Sequence, residues 1–219
     1  MNEPSGRIWR LATAIIYVIV GGTLVVEYVL LNANAARLNW LPIYLYGGLF
    51  AVYLLLERWA YRGSEGAGRQ THRWLRYALN LAWWLVMLAP VIEYALTGRH
   101  NWVVAGIGSV LAVAGMAIRI WGVRSLGRYF SGHIETYDDH RVVDTGPYAV
   151  IRHPAYAGNI LHVVGMPLVL NAYLALILSA IVIVLFIRRL LWEEDELAKQ
   201  VPGYAAYQER TDRLIPGLW

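Results

Sequence analysis

The chain has 219 residues, 58% of them hydrophobic and only 16% charged. Soluble domains carry roughly 45–50% apolar and about 25% charged residues, so the shift is toward lipid. There is no cysteine, which excludes disulfides, thiolate zinc sites and cysteine nucleophiles. The formal charge of +4 rests almost wholly on arginine, Lys199 being the one lysine. No compact basic patch is interleaved with aromatics, so membrane orientation explains this charge better than nucleic-acid binding.

A membrane helix needs about 20 mostly apolar residues. Segments 8–31, 41–61, 74–96 and 102–123 meet that requirement, and Trp9, Trp40, Trp59, Trp74 and Trp102 sit near their ends as interfacial aromatics. The first run is too long for a signal-peptide core and reads as a retained span. The segment 63–68, rich in glycine, reads as a flexible loop. After a polar stretch come two shorter apolar runs, 155–170 and 173–192, joined at Asn171-Ala172; they predict a hairpin of one or two spans. The fold expected is an all-α polytopic bundle of about five to six spans. Residues 1–125 supply N-terminal membrane helices and 126–219 a core with a hairpin and a C-terminal tail.

Arginine placement orients this bundle. With the N-terminus inside, the inner segments hold Arg7, Arg10, Arg58, Arg62, Arg69, Arg73, Arg76, the basic residues of 119–152 and those from Arg188 onward. The outer loops hold only Arg37 and Arg99. That asymmetry follows the positive-inside rule and predicts both termini, and both long polar stretches, on the cytoplasmic side.

Some features read as structural. Gly106-Ile-Gly108 follows no strand and lies within an apolar helix, so it is no dinucleotide loop. Gly108, Ala112 and Gly115 share a face and predict close helix packing. Glu27 and Glu93 lie near the outer ends of spans, and each is a functional candidate only by the general cost of intramembrane carboxylates. His133, His140 and His153 have no metal-ligand spacing, so no metal is expected.

The run from His140 to Gly158 carries the chemistry. Gly146-Pro147 marks a turn, and Pro154 disfavours helix at His153 while fitting the first turn of the helix that follows. Arg152 and His153 therefore lie at a helix mouth, where backbone N–H groups can receive an anion. Tyr148 and Tyr156 add flat faces suited to a purine or a sulfonium cation. Further on, Arg189 and Glu193 are four residues apart and share a helix face.

Together these runs resemble the isoprenylcysteine carboxyl methyltransferase family, which is related to phospholipid N-methyltransferases and methanethiol S-methyltransferases. The resemblance covers about residues 126–219. It runs through Val143-Asp-Thr-Gly-Pro-Tyr148, Arg152-His-Pro-Ala-Tyr-Ala-Gly158, Glu193-Glu-Asp-Glu-Leu197, Gly203-Tyr-Ala-Ala-Tyr207 and Arg213-Leu-Ile-Pro216. It implies that His140, Val142, Val143, Tyr148, His153, Pro154, Ala155, Tyr156 and Glu193 hold S-adenosylmethionine. It implies that Arg189 faces the methyl acceptor and that the C-terminal segment closes the pocket. The arginine bias over lysine suggests a GC-rich bacterial genome, so a bacterial inner membrane is the expected host of these spans.

Such a reaction needs alignment and water exclusion more than a covalent nucleophile. The acceptor expected is lipophilic, an isoprenylcysteine-like carboxylate that Arg189 orients with its planar charged fork. A small thiol or a phospholipid amine is the alternative acceptor. An NADPH-dependent membrane reductase and a non-catalytic scaffold are the competing classes.

Overall fold

The computed structural model describes residues 6–60, 69–71, 73–130, 134–136 and 141–219. The expected glycine-rich loop at 63–68 lies outside them. The described residues form seven α-helices: α1 (Gly6–Ala33), α2 (Trp40–Ala60), α3 (Arg73–Thr97), α4 (Trp102–Leu126), α5 (Pro154–Val169), α6 (Ala175–Gln200) and α7 (Tyr204–Arg210). A three-residue antiparallel ribbon, β1 (Arg69–Thr71) with β2 (Ile134–Thr136), joins the segment before α3 to the segment after α4.

Among the described residues, five helices are long and apolar enough to cross a bilayer: those spanning Leu11–Ala33, Trp40–Ala60, Trp74–Thr97, Trp102–Tyr129 and Ala175–Gln200. Helix α5, with 16 residues, rises about 24 Å, short of the roughly 30 Å hydrocarbon layer. It nevertheless runs antiparallel to α4 between the same two ends. Its first residues meet Gly122, and the Asn171 side chain just beyond it accepts from the Asn101 N–H at 2.8 Å. The chain thus traverses the bundle six times, with Asn171-Ala172 at the expected hairpin turn.

Local chemistry sets the helix ends. Asn101 caps α4, its side chain accepting from the N–H groups of Val103 and Val104. His153 departs from helical geometry and Pro154 opens α5, as the proline rule requires. The Glu93 carboxylate accepts from the N–H groups of Leu174 and Ala175 at 3.2 and 3.0 Å. This suspected intramembrane acid is therefore a cap on the start of α6, where a helix dipole favours negative charge.

Glycine brings α4 and α5 into backbone contact. A Cβ on Gly108 would lie 2.7 Å from the Gly165 carbonyl oxygen, and one on Gly115 would lie 2.5 Å from that of Gly158. Gly158 and Gly165 face back with equal closeness, whereas Gly106 meets nothing within 4 Å. The expected packing face is present, with a partner face of its own kind. Around this seam, Tyr46, Leu75, Val86, Met87, Tyr94, Val163, Met166, Val182 and Phe186 form the main buried cluster.

This arrangement gathers the C-terminal ends of α2, α4 and α6 with the N-terminal ends of α3 and α5. The site is built at that end.

Candidate active site

Helices α5 and α6 place three functional side chains in one chain of hydrogen bonds. Arg189 Nε donates to the Tyr156 hydroxyl at 2.7 Å, and that hydroxyl donates to Glu193 Oε2 at 2.5 Å. The four-residue spacing puts Arg189 and Glu193 on one face of α6, and Tyr156, two residues into α5, reaches between them. All three line a cavity of about 810 Å³. That volume lies within the range of small-molecule and cofactor sites.

The next residue does different work. Glu194 is 3% exposed and meets three side chains, two from the mouth of α5 and one from the tail. Arg152 Nε reaches Glu194 Oε1 at 2.7 Å, His153 Nε2 lies 3.1 Å from the same oxygen, and Arg213 Nε reaches Oε2 at 2.9 Å. Arg152 also donates to the carbonyls of Gln208 and Thr211. One buried carboxylate therefore ties α6, the mouth of α5 and the C-terminal tail together.

The tail corrects one sequence expectation. The N–H groups of Arg152 and His153 donate to the carbonyls of Asp212 and Arg213 at 2.7 and 3.0 Å. They are not open to a ligand anion, because the returning tail takes them.

The remaining predicted residues fall as follows. Val142, Val143, Tyr148, His153 and Ala155 line the cavity with Tyr156, Arg189 and Glu193. Pro154 instead packs toward Gly122 of α4. His140 lies outside the described residues, as does His133. Tyr204 and Tyr207 bring the tail to the cavity wall, over Val142 and Leu197. The Tyr207 hydroxyl donates to the Tyr148 carbonyl at 2.7 Å, and burial pushes this phenol up to about 12. Burial also raises Tyr148 and Tyr204, so all three stay neutral donors near pH 7.

The sequence reading missed the opposite wall, which comes from α2, α3 and α4. Arg119 forms a two-pronged ion pair with Glu57, its Nε lying 2.9 Å from Oε2, and also bonds the Tyr53 hydroxyl. Tyr53 stacks on His162 with ring centroids 4.1 Å apart and donates weakly to Asn159 Oδ1 at 3.4 Å. Asn80 and Trp83 of α3 complete this side. The only sequence signal was polarity inside apolar runs, and the bonded pair Tyr53 and Asn159 is 106 positions apart.

Among the described residues, no group of three histidine, aspartate or glutamate side chains is arranged to hold a metal ion.

Comparison with known proteins agrees with this picture. The sequence model of the isoprenylcysteine carboxyl methyltransferase family matches residues 107–199, from within α4 to near the end of α6. Protein-S-isoprenylcysteine O-methyltransferase A of Arabidopsis thaliana is 31% identical over 143 residues, covering 60% of this chain and 72% of the relative. Protein-S-isoprenylcysteine O-methyltransferase B of the same plant is 28% identical over 142 residues, with the same coverage. The nickel-cobalt-cadmium resistance protein NccN of Alcaligenes xylosoxydans xylosoxydans is 27% identical over 143 residues, 62% of this chain and 63% of the relative. The chain thus spans between three fifths and three quarters of the length of these relatives. On the family match and the plant relatives, the chain belongs to the isoprenylcysteine carboxyl methyltransferase family and is a membrane methyltransferase.

Proposed function

We propose that this protein transfers a methyl group from S-adenosylmethionine to the carboxylate of a lipophilic, isoprenylcysteine-like acceptor at the cytoplasmic face of its membrane. The observation that carries this reading is the row Arg189–Tyr156–Glu193 across one cavity, with a cation at one end and a carboxylate at the other.

The residues present fit the cofactor. Glu193 offers a negative charge to an amino or sulfonium group, and the rings of Tyr148, Tyr156 and Tyr204 offer faces to a cation or a purine. Val142, Val143 and Ala155 add apolar wall, and His153, fixed by Glu194, adds a polar edge. When bound, S-adenosylmethionine supplies an electrophilic methyl carbon on sulfur. Arg189 then holds the acceptor carboxylate with charge-assisted hydrogen bonds and turns one oxygen toward that carbon. Transfer of that methyl would form one carbon–oxygen bond as the carbon–sulfur bond breaks with its electron pair left on sulfur, so the residues around Arg189 would need to move no proton. Opposite charges cancel in this step, and the tyrosine-lined wall that excludes water favours it.

The test is a transfer assay. Membranes containing the protein are incubated with methyl-labelled cofactor, and protein, lipid and volatile fractions are separated. Base-labile label in a lipophilic acid supports the carboxylate reading. Label in a volatile thioether or in a phospholipid amine assigns the acceptor to those classes instead, and NADPH binding without S-adenosylhomocysteine binding overturns the cofactor.

A further inference from the structure

The wall built by α2 and α4 holds a second row of hydrogen bonds, and its direction is fixed. A guanidinium can only donate, so Arg119 gives its protons to Glu57 and to the Tyr53 hydroxyl oxygen. The Tyr53 proton then points elsewhere, and the acceptor it meets is Asn159 Oδ1 at 3.4 Å. That bond decides how the Asn159 amide is turned: oxygen toward Tyr53, nitrogen away from it. The side chain is buried and lines the cavity, and its nitrogen has no hydrogen-bond partner among the described residues. The row is held firmly. Tyr53 stacks on His162, and the Arg119 backbone lies against Gly158, the residue before Asn159. Asn159 also shares a helix face with Tyr156, three residues earlier on α5. On α6, Phe186 lies three residues before Arg189 and packs edge-on against the Tyr156 ring, with centroids 5.7 Å apart. The two helices are antiparallel, so Asn159 stands on the Arg189 and Phe186 side of the cavity, deeper than Glu193.

We propose that Asn159 is a second binding residue for the acceptor carboxylate, donating from Nδ2 to one oxygen while Arg189 donates to the other, and that Glu57, Arg119 and Tyr53 are positioning residues that aim it. The inference rests on the carboxylate reading given above and adds residues to it. Arg189 spends its Nε on Tyr156. The side-on fork of Nε and one Nη, by which an arginine takes both oxygens of a carboxylate, is therefore not open to the acceptor. A donor from another helix supplies the missing half. An N–H group facing a cavity within a lipid-embedded bundle is costly until something accepts from it, and a carboxylate oxygen removes that cost. Two donors on different helices also hold the carboxylate plane at one angle, which turns one oxygen toward the methyl carbon. The Glu57–Arg119 pair has its effect through direction, since a buried ion pair gains little net stability over apolar packing. Without it, Tyr53 could accept from the Asn159 amide instead of donating. The amide oxygen would then face the cavity and repel a carboxylate.

The experiment measures binding to the full chain in lipid nanodiscs by calorimetry, with S-adenosylhomocysteine present. The probes are S-farnesylthioacetic acid and the alcohol in which its carboxyl group is reduced to CH2OH. Wild type is expected to bind the acid about a hundredfold more tightly than the alcohol. Asn159→Ala is expected to weaken the acid about tenfold, as loss of one hydrogen bond to a charged group does, and the alcohol by less than about twofold. Tyr53→Phe keeps the ring stack and is expected to weaken the acid about threefold to tenfold, adding nothing once residue 159 is alanine. A merely structural role predicts equal losses for acid and alcohol, or additive losses in the double variant, and either result overturns the proposal. S-adenosylhomocysteine binding checks folding, and the acid-to-alcohol ratio of Tyr53→Phe decides the matter if Asn159→Ala misfolds. A wild type that does not prefer the acid overturns the carboxylate reading and the proposal with it. A preference that Arg189→Ala abolishes and Asn159→Ala leaves intact overturns the proposal alone.

Discussion

Arg189 and Tyr156 meet at 2.7 Å with the guanidinium donating, and the same hydroxyl passes its own proton toward Glu193. The cation and the carboxylate to which the proposed function assigns acceptor and cofactor are thus held in register by one phenol. Arg189→Ala is expected to lower kcat/KM by a hundredfold or more while S-adenosylhomocysteine binding changes by less than about threefold. Tyr156→Phe is expected to fall between that variant and wild type, because both ends remain but lose alignment. Steady-state kinetics with calorimetry on the same preparations checks both.

Glu194 is a stability residue in this reading. Replacing it with Ala leaves the buried Arg152 and His153 without their carboxylate, and removing one partner of a buried ion pair costs about 3–5 kcal/mol. Arg213→Ala removes the most exposed of the three partners of Glu194, its side chain being 33% accessible, and is expected to cost about 1 kcal/mol or less. Thermal unfolding followed by intrinsic fluorescence ranks the two, and a larger shift for Arg213→Ala contradicts the assignment.

The α4–α5 seam makes a contrast between glycines two positions apart. Gly108→Ala pushes a methyl group onto the backbone of α5 and is expected to destabilise by about 1–3 kcal/mol. Gly106→Ala meets open space and is expected to be neutral or to stabilise by about 0.5–1 kcal/mol through lower backbone entropy. Denaturation in a mild detergent, with yield as a second readout, separates them.

Alkaline pH tests the tail. The Tyr207 phenol titrates near 12 when folded against about 10 when unfolded, so the unfolded chain sheds this proton first. Its contribution is therefore complete below pH 10 and declines as pH rises toward 12. Tyr207→Phe removes the bond to the Tyr148 carbonyl, at a cost of about 1 kcal/mol near neutrality. The stability gap between wild type and variant is expected to narrow over that window, and a gap constant up to pH 12 refutes the mechanism.

Much of this architecture is legible in local patterns. Apolar runs of membrane length locate the spanning helices, Pro154 locates the start of α5, and Arg189 with Glu193 announce a shared face because four residues make about one turn. What local pattern does not carry is the partner of each face. Glu193 and Glu194 are adjacent and chemically alike, and only the packing of α5 and the tail shows that one meets Tyr156 and the other Arg152. Glu57 and Arg119 are 62 residues apart on different helices, so their pairing is a property of the bundle. The two N–H groups expected to greet a ligand at the α5 mouth are claimed by a strand-like return of the tail, which no periodicity signals.

The shortness of α5 has a further consequence. A helix of 16 residues laid along a full-length neighbour stops several ångströms short of the lipid headgroups, and it is anchored at its far end through Asn171 and Asn101. Tyr156, near its start, therefore lies more than a turn inside the end of α4, whose Gly122 packs on Ala155. For the lipophilic acceptor proposed above, a site at that depth shortens the path from the acyl chains to the reacting atoms.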